Sequence, residues 1–230
     1  MTAATETNGA TKRASRIPLW FKLVYTAFMA VLVPNYWMNY GPTNFLYFCD
    51  VALFFTLAAL WLESPLLASM PAIGILLPQT FWCVDYLAGL VGIRVFGMTG
   101  YMFDSKIPLF TRGLSFFHFW LPFVVAWAVW RLGYDRRALP YWTGLAWTLL
   151  AICYFAMPAP PGPADDPNLP VNINYVFGLS DEKPQEWMHP HLYFAILMIG
   201  MPLIVYLPTH WALSRTCRTP QEIAREAGRD

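Results

Sequence analysis

Residues 44–62 read NFLYFCDVALFFTLAALWL, a run in which Asp50 is the single charged side chain. A helix rises 1.5 Å per residue, so about 20 mostly apolar residues cross a bilayer. This stretch therefore reads as a membrane span, and Asp50 becomes the residue to explain. Working outward, Asn39-Tyr40-Gly41-Pro42 is a turn signal, and residues 19–38 before it form another apolar run. On the other side a third run covers 65–91 with Pro71 and Pro78 inside it. A kink is expected there, because neighbouring groups in a bundle re-satisfy the carbonyls that proline frees. Three more runs follow at 114–130, 141–157 and 191–213. The expected fold is all-α: a polytopic transmembrane helix bundle of about six spans, one membrane domain from 19 to 213 between polar tails at 1–18 and 214–230.

Composition supports this. Of 230 residues 57% are hydrophobic and 13% charged, against about a quarter charged in soluble domains. The net charge of +1 with no basic stripe excludes nucleic acid, which needs clustered Lys and Arg to displace counterions. Cys49, Cys83, Cys153 and Cys217 form no CxxC pair and read as small apolar fillers. The first 15 residues have no apolar core of their own, so they read as a polar tail and not as a cleavable signal. Membrane lipids are the expected partners, and no feature specifies an oligomeric state.

Orientation follows from the bias of Lys and Arg towards the cytoplasm. Lys12, Arg13, Arg16 and Lys22 precede or open the first span, Arg131, Arg136 and Arg137 follow the fourth, and Arg215, Arg218, Arg225 and Arg229 follow the sixth. The opposite side holds Arg94, Lys106, Arg112 and Lys183. Both termini are expected to be cytoplasmic.

With that topology the polar residues of the spans gather on the outer side. Asp50 lies six residues into its span, roughly 9 Å deep at 1.5 Å per residue, and Asp85 closes the third span at similar depth. Ser115 and His118 share a helix face one turn apart, and His189 and His191 open the sixth span. Asn39, Asn44, Asp104, Asn172 and Asn174 approach the same mouth from three loops, the last two pointing the same way if extended. A carboxylate or imidazole in a span costs a few kcal/mol and normally faces the bundle interior with a partner, so this group reads as a site. His210, at the inner end, reads as an interfacial residue. Glu63 reads as the cap of the following helix.

The stretch 39–50, NYGPTNFLYFCD, with Ser115-Phe116-Phe117-His118, Asn172-Ile173-Asn174 and Pro208-Thr209-His210, resembles a family of bacterial integral membrane proteins without assigned activity. The resemblance runs over most of the chain and implies six spans in a bacterial inner membrane. There is also a similarity in kind to membrane hydrolases such as the alkaline ceramidases and progestin-receptor-like proteins, which gather Asp and His from several spans around zinc. They carry His-x3-His on one helix and seven spans, where this chain has His189-x-His191 and six, so no residue role is carried over.

Three functions are weighed. The first is a membrane-embedded hydrolase or transferase acting on a lipid or lipid-linked substrate: His118 or His191 as general base, Asp50 orienting it, Asp85 and Ser115 beside them, and Asn39, Asn44, Asp104, Asn172 and Asn174 binding substrate. Its metal-dependent form uses His118, His189, His191, Asp50 and Asp85, ligand types that suit zinc or non-haem iron. The second is a proton-coupled transporter or channel relaying through Asp50, Asp85 and His118. The third is a non-catalytic subunit docking a partner or a pigment.

Overall fold

The computed structural model describes residues 15–93, 95–164 and 169–226. The polar N-terminal tail over 1–14, with Lys12 and Arg13, lies outside them, as do Arg94 and Arg229 of the topology argument. The described chain is helical: α1 (Leu19–Tyr40), α2 (Phe48–Leu62), α3 (Pro65–Leu90), α4 (Leu109–Ser115), α5 (Phe117–Leu132), α6 (Ala138–Ala156), α7 (Pro190–Gly200), α8 (Leu207–Thr216) and α9 (Pro220–Glu226). Short tight turns of helix lie at Pro42–Leu46, Gly100–Phe103 and Ile173–Tyr175.

Hydrogen bonds show which helix ends lie together. At one end Glu63, after α2, accepts from the Arg16 and Ile17 amides before α1, and Arg131 of α5 donates to the Arg16 carbonyl at 2.6 and 3.1 Å. There too the Asp135 amide donates to Ser69 Oγ of α3, and the Tyr134 amide to the Arg218 carbonyl beyond α8. At the other end Asn174 bonds to Leu46 and Phe48 before and in α2, and Tyr36 of α1 meets Ser115 of α4. The chain thus passes back and forth six times. The first is called the terminal end and the second the loop end.

Five of these passages are long and apolar enough to span a membrane: α1, α3, Leu109–Leu132, α6 and Pro190–Glu226. The sixth, α2, has 15 residues, or about 22 Å at 1.5 Å per residue, less than a hydrocarbon core of about 30 Å. The expected run 44–62 is therefore broken at Tyr47, which is extended, with a tight turn before it. The fourth span starts earlier than expected, at Leu109, and is interrupted at Phe116. The last bulges into a wider π turn over Met201–Tyr206, where Pro202 and Pro208 remove two amide donors. The expected C-terminal tail continues this helix to Thr216 and then forms α9, which docks where Gly133, at φ 93°, lets the backbone of Pro220 come close.

The centre of the bundle is α3, packed by α2, α5, α6 and the last helix. Small residues on it, Ala68, Ser69, Ala72 and Gly74, are buried and let neighbours approach. Gly74 is the notch for the Trp142 indole, since a Cβ there would fall 2.0 Å from that ring. In α1 the buried positions Lys22, Tyr25, Met29, Leu32 and Tyr36 recur every three or four residues, one face of a helix. Large apolar side chains such as Phe81, Phe123, Phe155 and Ile204 point outward and are exposed, the surface a bilayer would cover.

Candidate functional site

The loop end keeps one carboxylate oxygen unsatisfied. Asp50 is 3% exposed, and its Oδ1 has no hydrogen-bond partner among the described residues. Its Oδ2 has a weak contact with the Cys49 thiol at 3.8 Å. Burying an ionisable group this way is costly unless something meets it. Around it stand aromatic hydroxyls: Tyr36 of α1, Tyr47 before α2, and Tyr101 of the loop after α3 all lie within electrostatic reach. The Tyr36 hydroxyl is 2.7 Å from Ser115 Oγ, both buried. Tyr101 reaches in beside the Trp82 indole, in a relation that falls short of a hydrogen bond.

His118 is linked to this group through Ser115. Its ring stacks on Phe117 at 4.0 Å and on Trp82 at 5.3 Å between centroids. Its Nδ1 is 2.7 Å from the Ser115 carbonyl, which can only accept, so Nδ1 carries the proton and Nε2 is an acceptor in the neutral ring. The expected Ser115 and His118 share a face as read, yet they do not form an attacking pair. His118 bonds to the Ser115 backbone, while the Ser115 hydroxyl turns to Tyr36.

Several expected members are elsewhere or already occupied. Asp85, 2% exposed, takes amide protons from Val95, Phe96 and Gly97 on Oδ1 and from Thr99 on Oδ2, with the Thr99 hydroxyl as a fifth donor at 2.8 Å. It is the knot of the loop after α3, with no capacity left for a metal or a proton relay. His191 is exposed and pairs its Nδ1 with the Tyr154 hydroxyl of α6 at 2.8 Å, and His189 accepts from the His191 amide as the cap of α7. These two histidines belong to the α6–α7 contact. Among the described residues no three His, Cys, Asp or Glu side chains come together to hold a metal ion. The set His118, His189, His191, Asp50 and Asp85 is therefore not one metal centre.

The asparagines are also reassigned. Asn172 and Asn174 sit at φ 50° and 59°, left-handed and not extended, so they do not point the same way. Asn172 donates to the Gly178 and Ser180 carbonyls and to Asp181, and accepts from the Phe177 amide. Asn174 donates to the Leu46 carbonyl and accepts from the Phe48 amide, holding the segment against the start of α2. Ile173 and Val176 are fully buried beside them. Asn39 is exposed and bonds back to the Asn35 carbonyl, and Asp104 is exposed and accepts from the Lys106 amide in a turn. Asn44, like Asn172 and Asn174, is a buried side chain. At the terminal end Glu63 is not the cap of α3. Ser64 is, accepting from the Leu67 amide at 3.3 Å, while Glu63 holds Lys22 at 2.8 Å.

What the sequence reading missed is the aromatic part of the site: Tyr36, Tyr47, Trp82 and Tyr101. Only Tyr36 had a signal, as the last member of the buried α1 stripe. No protein-family model, no curated protein and no solved structure matches this chain.

Proposed function

We propose that the protein is a membrane-embedded hydrolase or transferase acting on a lipid or lipid-linked substrate at its loop end, in the outer leaflet of a cell membrane. The observation that carries this reading is the buried, unpartnered Asp50 Oδ1. A membrane protein keeps an unsatisfied carboxylate at a cost of a few kcal/mol, and such residues mark functional sites. A hydroxyl or amine on the substrate headgroup would complete it. His118 then acts as general base: Nε2 takes the proton of a water or acceptor alcohol as its oxygen attacks the substrate ester, and returns it to the leaving alcohol. Tyr36 and Ser115 supply hydroxyls to the charge that develops on the ester oxygen. The cytoplasmic placement of both termini is part of the proposal, resting on the Lys and Arg bias.

The test uses purified protein in bilayers of defined neutral and anionic phospholipids, with lipid products followed by mass spectrometry. Product is expected from the wild type and at least about 100-fold less from Asp50→Asn and His118→Gln, each checked for folding. Equal turnover by the variants overturns the reading. A second reading, proton-coupled transport, is favoured by further buried polar atoms without partners among the described residues, Thr56 Oγ1, Gln79 Oε1, Trp142 Nε1 and the Tyr206 hydroxyl. Proton flux in the same vesicles, lost in Asp50→Asn without any lipid product, would select it.

A further inference from the structure

The terminal end carries a groove of about 680 Å³ between the turn after α5 and the last helix. Arg136 lines it from the turn, and Leu203, Leu207, His210, Ser214 and Arg215 line it from the π turn and α8. Its apolar wall, Leu203 and Leu207, is exposed on the face a bilayer would cover. Its polar rim is cationic, with the Glu222 carboxylate within electrostatic reach of Arg136 but not paired with it. Among the described residues neither Arg136 nor Arg215 has an ion pair: Asp135 is held by Arg137 at 2.8 Å, Glu226 by Arg218, and Glu222 is turned to Thr219. Arg215 instead lies over the Trp211 ring at 4.3 Å, a contact that fixes its direction. Ser214 Oγ is buried with no hydrogen-bond partner among the described residues. His210 is oriented by the Tyr134 hydroxyl, 2.7 Å from its Nδ1.

We propose that this groove binds an anionic phospholipid of the inner leaflet, its phosphate between Arg136 and Arg215 and its acyl chains along Leu203 and Leu207. The chemistry is that of a phosphodiester: two guanidinium groups present forked donors to phosphate oxygens, and Ser214 supplies a further hydroxyl. Basic pockets beside membrane helices on the cytoplasmic side take such headgroups. An apolar wall continuous with the rim distinguishes a lipid from a soluble phosphate. The proposal is independent of Asp50, which lies at the other end of the bundle.

Full-length protein, delipidated in a neutral detergent, would be titrated with phosphatidylglycerol or phosphatidylcholine, with retained lipid counted by native mass spectrometry and Tm followed in parallel. Phosphatidylglycerol is expected to be retained and to raise Tm, and phosphatidylcholine to do neither. Arg136→Gln and Arg215→Gln each weaken phosphatidylglycerol binding about five-fold, and about 25-fold together. Arg137→Gln, whose guanidinium is held by Asp135 away from the groove lining, leaves it unchanged. Inorganic phosphate alone gives no shift. The proposal is overturned if the two lipids bind alike, if the double variant binds as the wild type does, or if inorganic phosphate alone raises Tm as the lipid does. Should the double variant fail to fold, Leu203→Trp fills the apolar wall without touching the charges. Undiminished phosphatidylglycerol binding by that variant is equally decisive against the proposal.

Discussion

Asp85 and Asp50 are equally buried at the loop end, and they could hardly be treated more differently. Asp85 receives four backbone amides and a hydroxyl, a full complement for a carboxylate. Asp50 receives one weak thiol contact and leaves an oxygen bare. Exposure therefore does not separate a carboxylate that the fold satisfies from one that it leaves open. The count of satisfied lone pairs does.

The largest effect that could break this comparison is at Asp85. Asp85→Ala leaves the amides of Val95, Phe96, Gly97 and Thr99 without their acceptor, and a loss of about 3–5 kcal/mol is expected, the scale for removing one partner from a buried charged network. Unfolding in detergent would read it, and hydrogen exchange at 95–99 would rise in the folded protein. A loss under about 1 kcal/mol would mean that the loop holds itself and that Asp85 is available for something else.

The helices were legible because apolar length is a strong signal, and the order of six passages came from it directly. Their interruptions were not. The break at Tyr47 depends on Asn174, 127 positions away, taking the Phe48 amide. Asp85 was misread for a similar reason: its donors come from ten to fourteen residues further on, in a loop whose Gly97, at φ 76°, turns its amide inward. Asn172 and Asn174 carried a local signal that was read the wrong way, since asparagine tolerates left-handed backbone and bonds nearby main chain. Periodicity did place Ser115 and His118 on one face, but which atom of Ser115 meets the ring is set by Tyr36 from another helix. Of the expected site, Ser115 bonds to His118 through its carbonyl and to Tyr36 through its hydroxyl, and Tyr36 lies within electrostatic reach of Asp50. Asp85, His189, Asn39, Asp104, Asn172 and Asn174 bond to backbone amides or carbonyls, and His191 bonds to the Tyr154 hydroxyl.

A smaller effect sharpens the contrast from the terminal end, where a half-buried carboxylate is paired. Burial alone would raise the Glu63 carboxyl, but hydrogen bonds from Lys22, from Ser15 and from the Arg16 and Ile17 amides outweigh it and hold it at about 2 against an ordinary 4.5. A depressed pKa contributes stability that is fully present above pH 4.5 and is lost as pH falls through about 2. The side chain is 23% exposed, so screening limits the contribution to on the order of 1–2 kcal/mol. Melting wild type and Glu63→Gln between pH 6 and 2 should show a gap that closes only below pH 4.5. A constant gap would mean that the Glu63 contacts do not depend on its charge.

The smallest effect on stability is expected where the function is proposed. Asp50→Asn keeps the volume, removes the charge and breaks no hydrogen bond stronger than the Cys49 contact at 3.8 Å. Folding should change by less than about 1 kcal/mol, and an increase is the favoured direction, because the cost of a bare buried carboxylate disappears. Functional sites are where proteins retain such groups against their own stability, so a variant of equal or greater Tm that has lost turnover is the signature of a ligand for Oδ1. A loss of 3 kcal/mol, as at Asp85, would instead make Asp50 a structural residue whose partners lie within the bundle. The two aspartates would then differ only in where their donors come from.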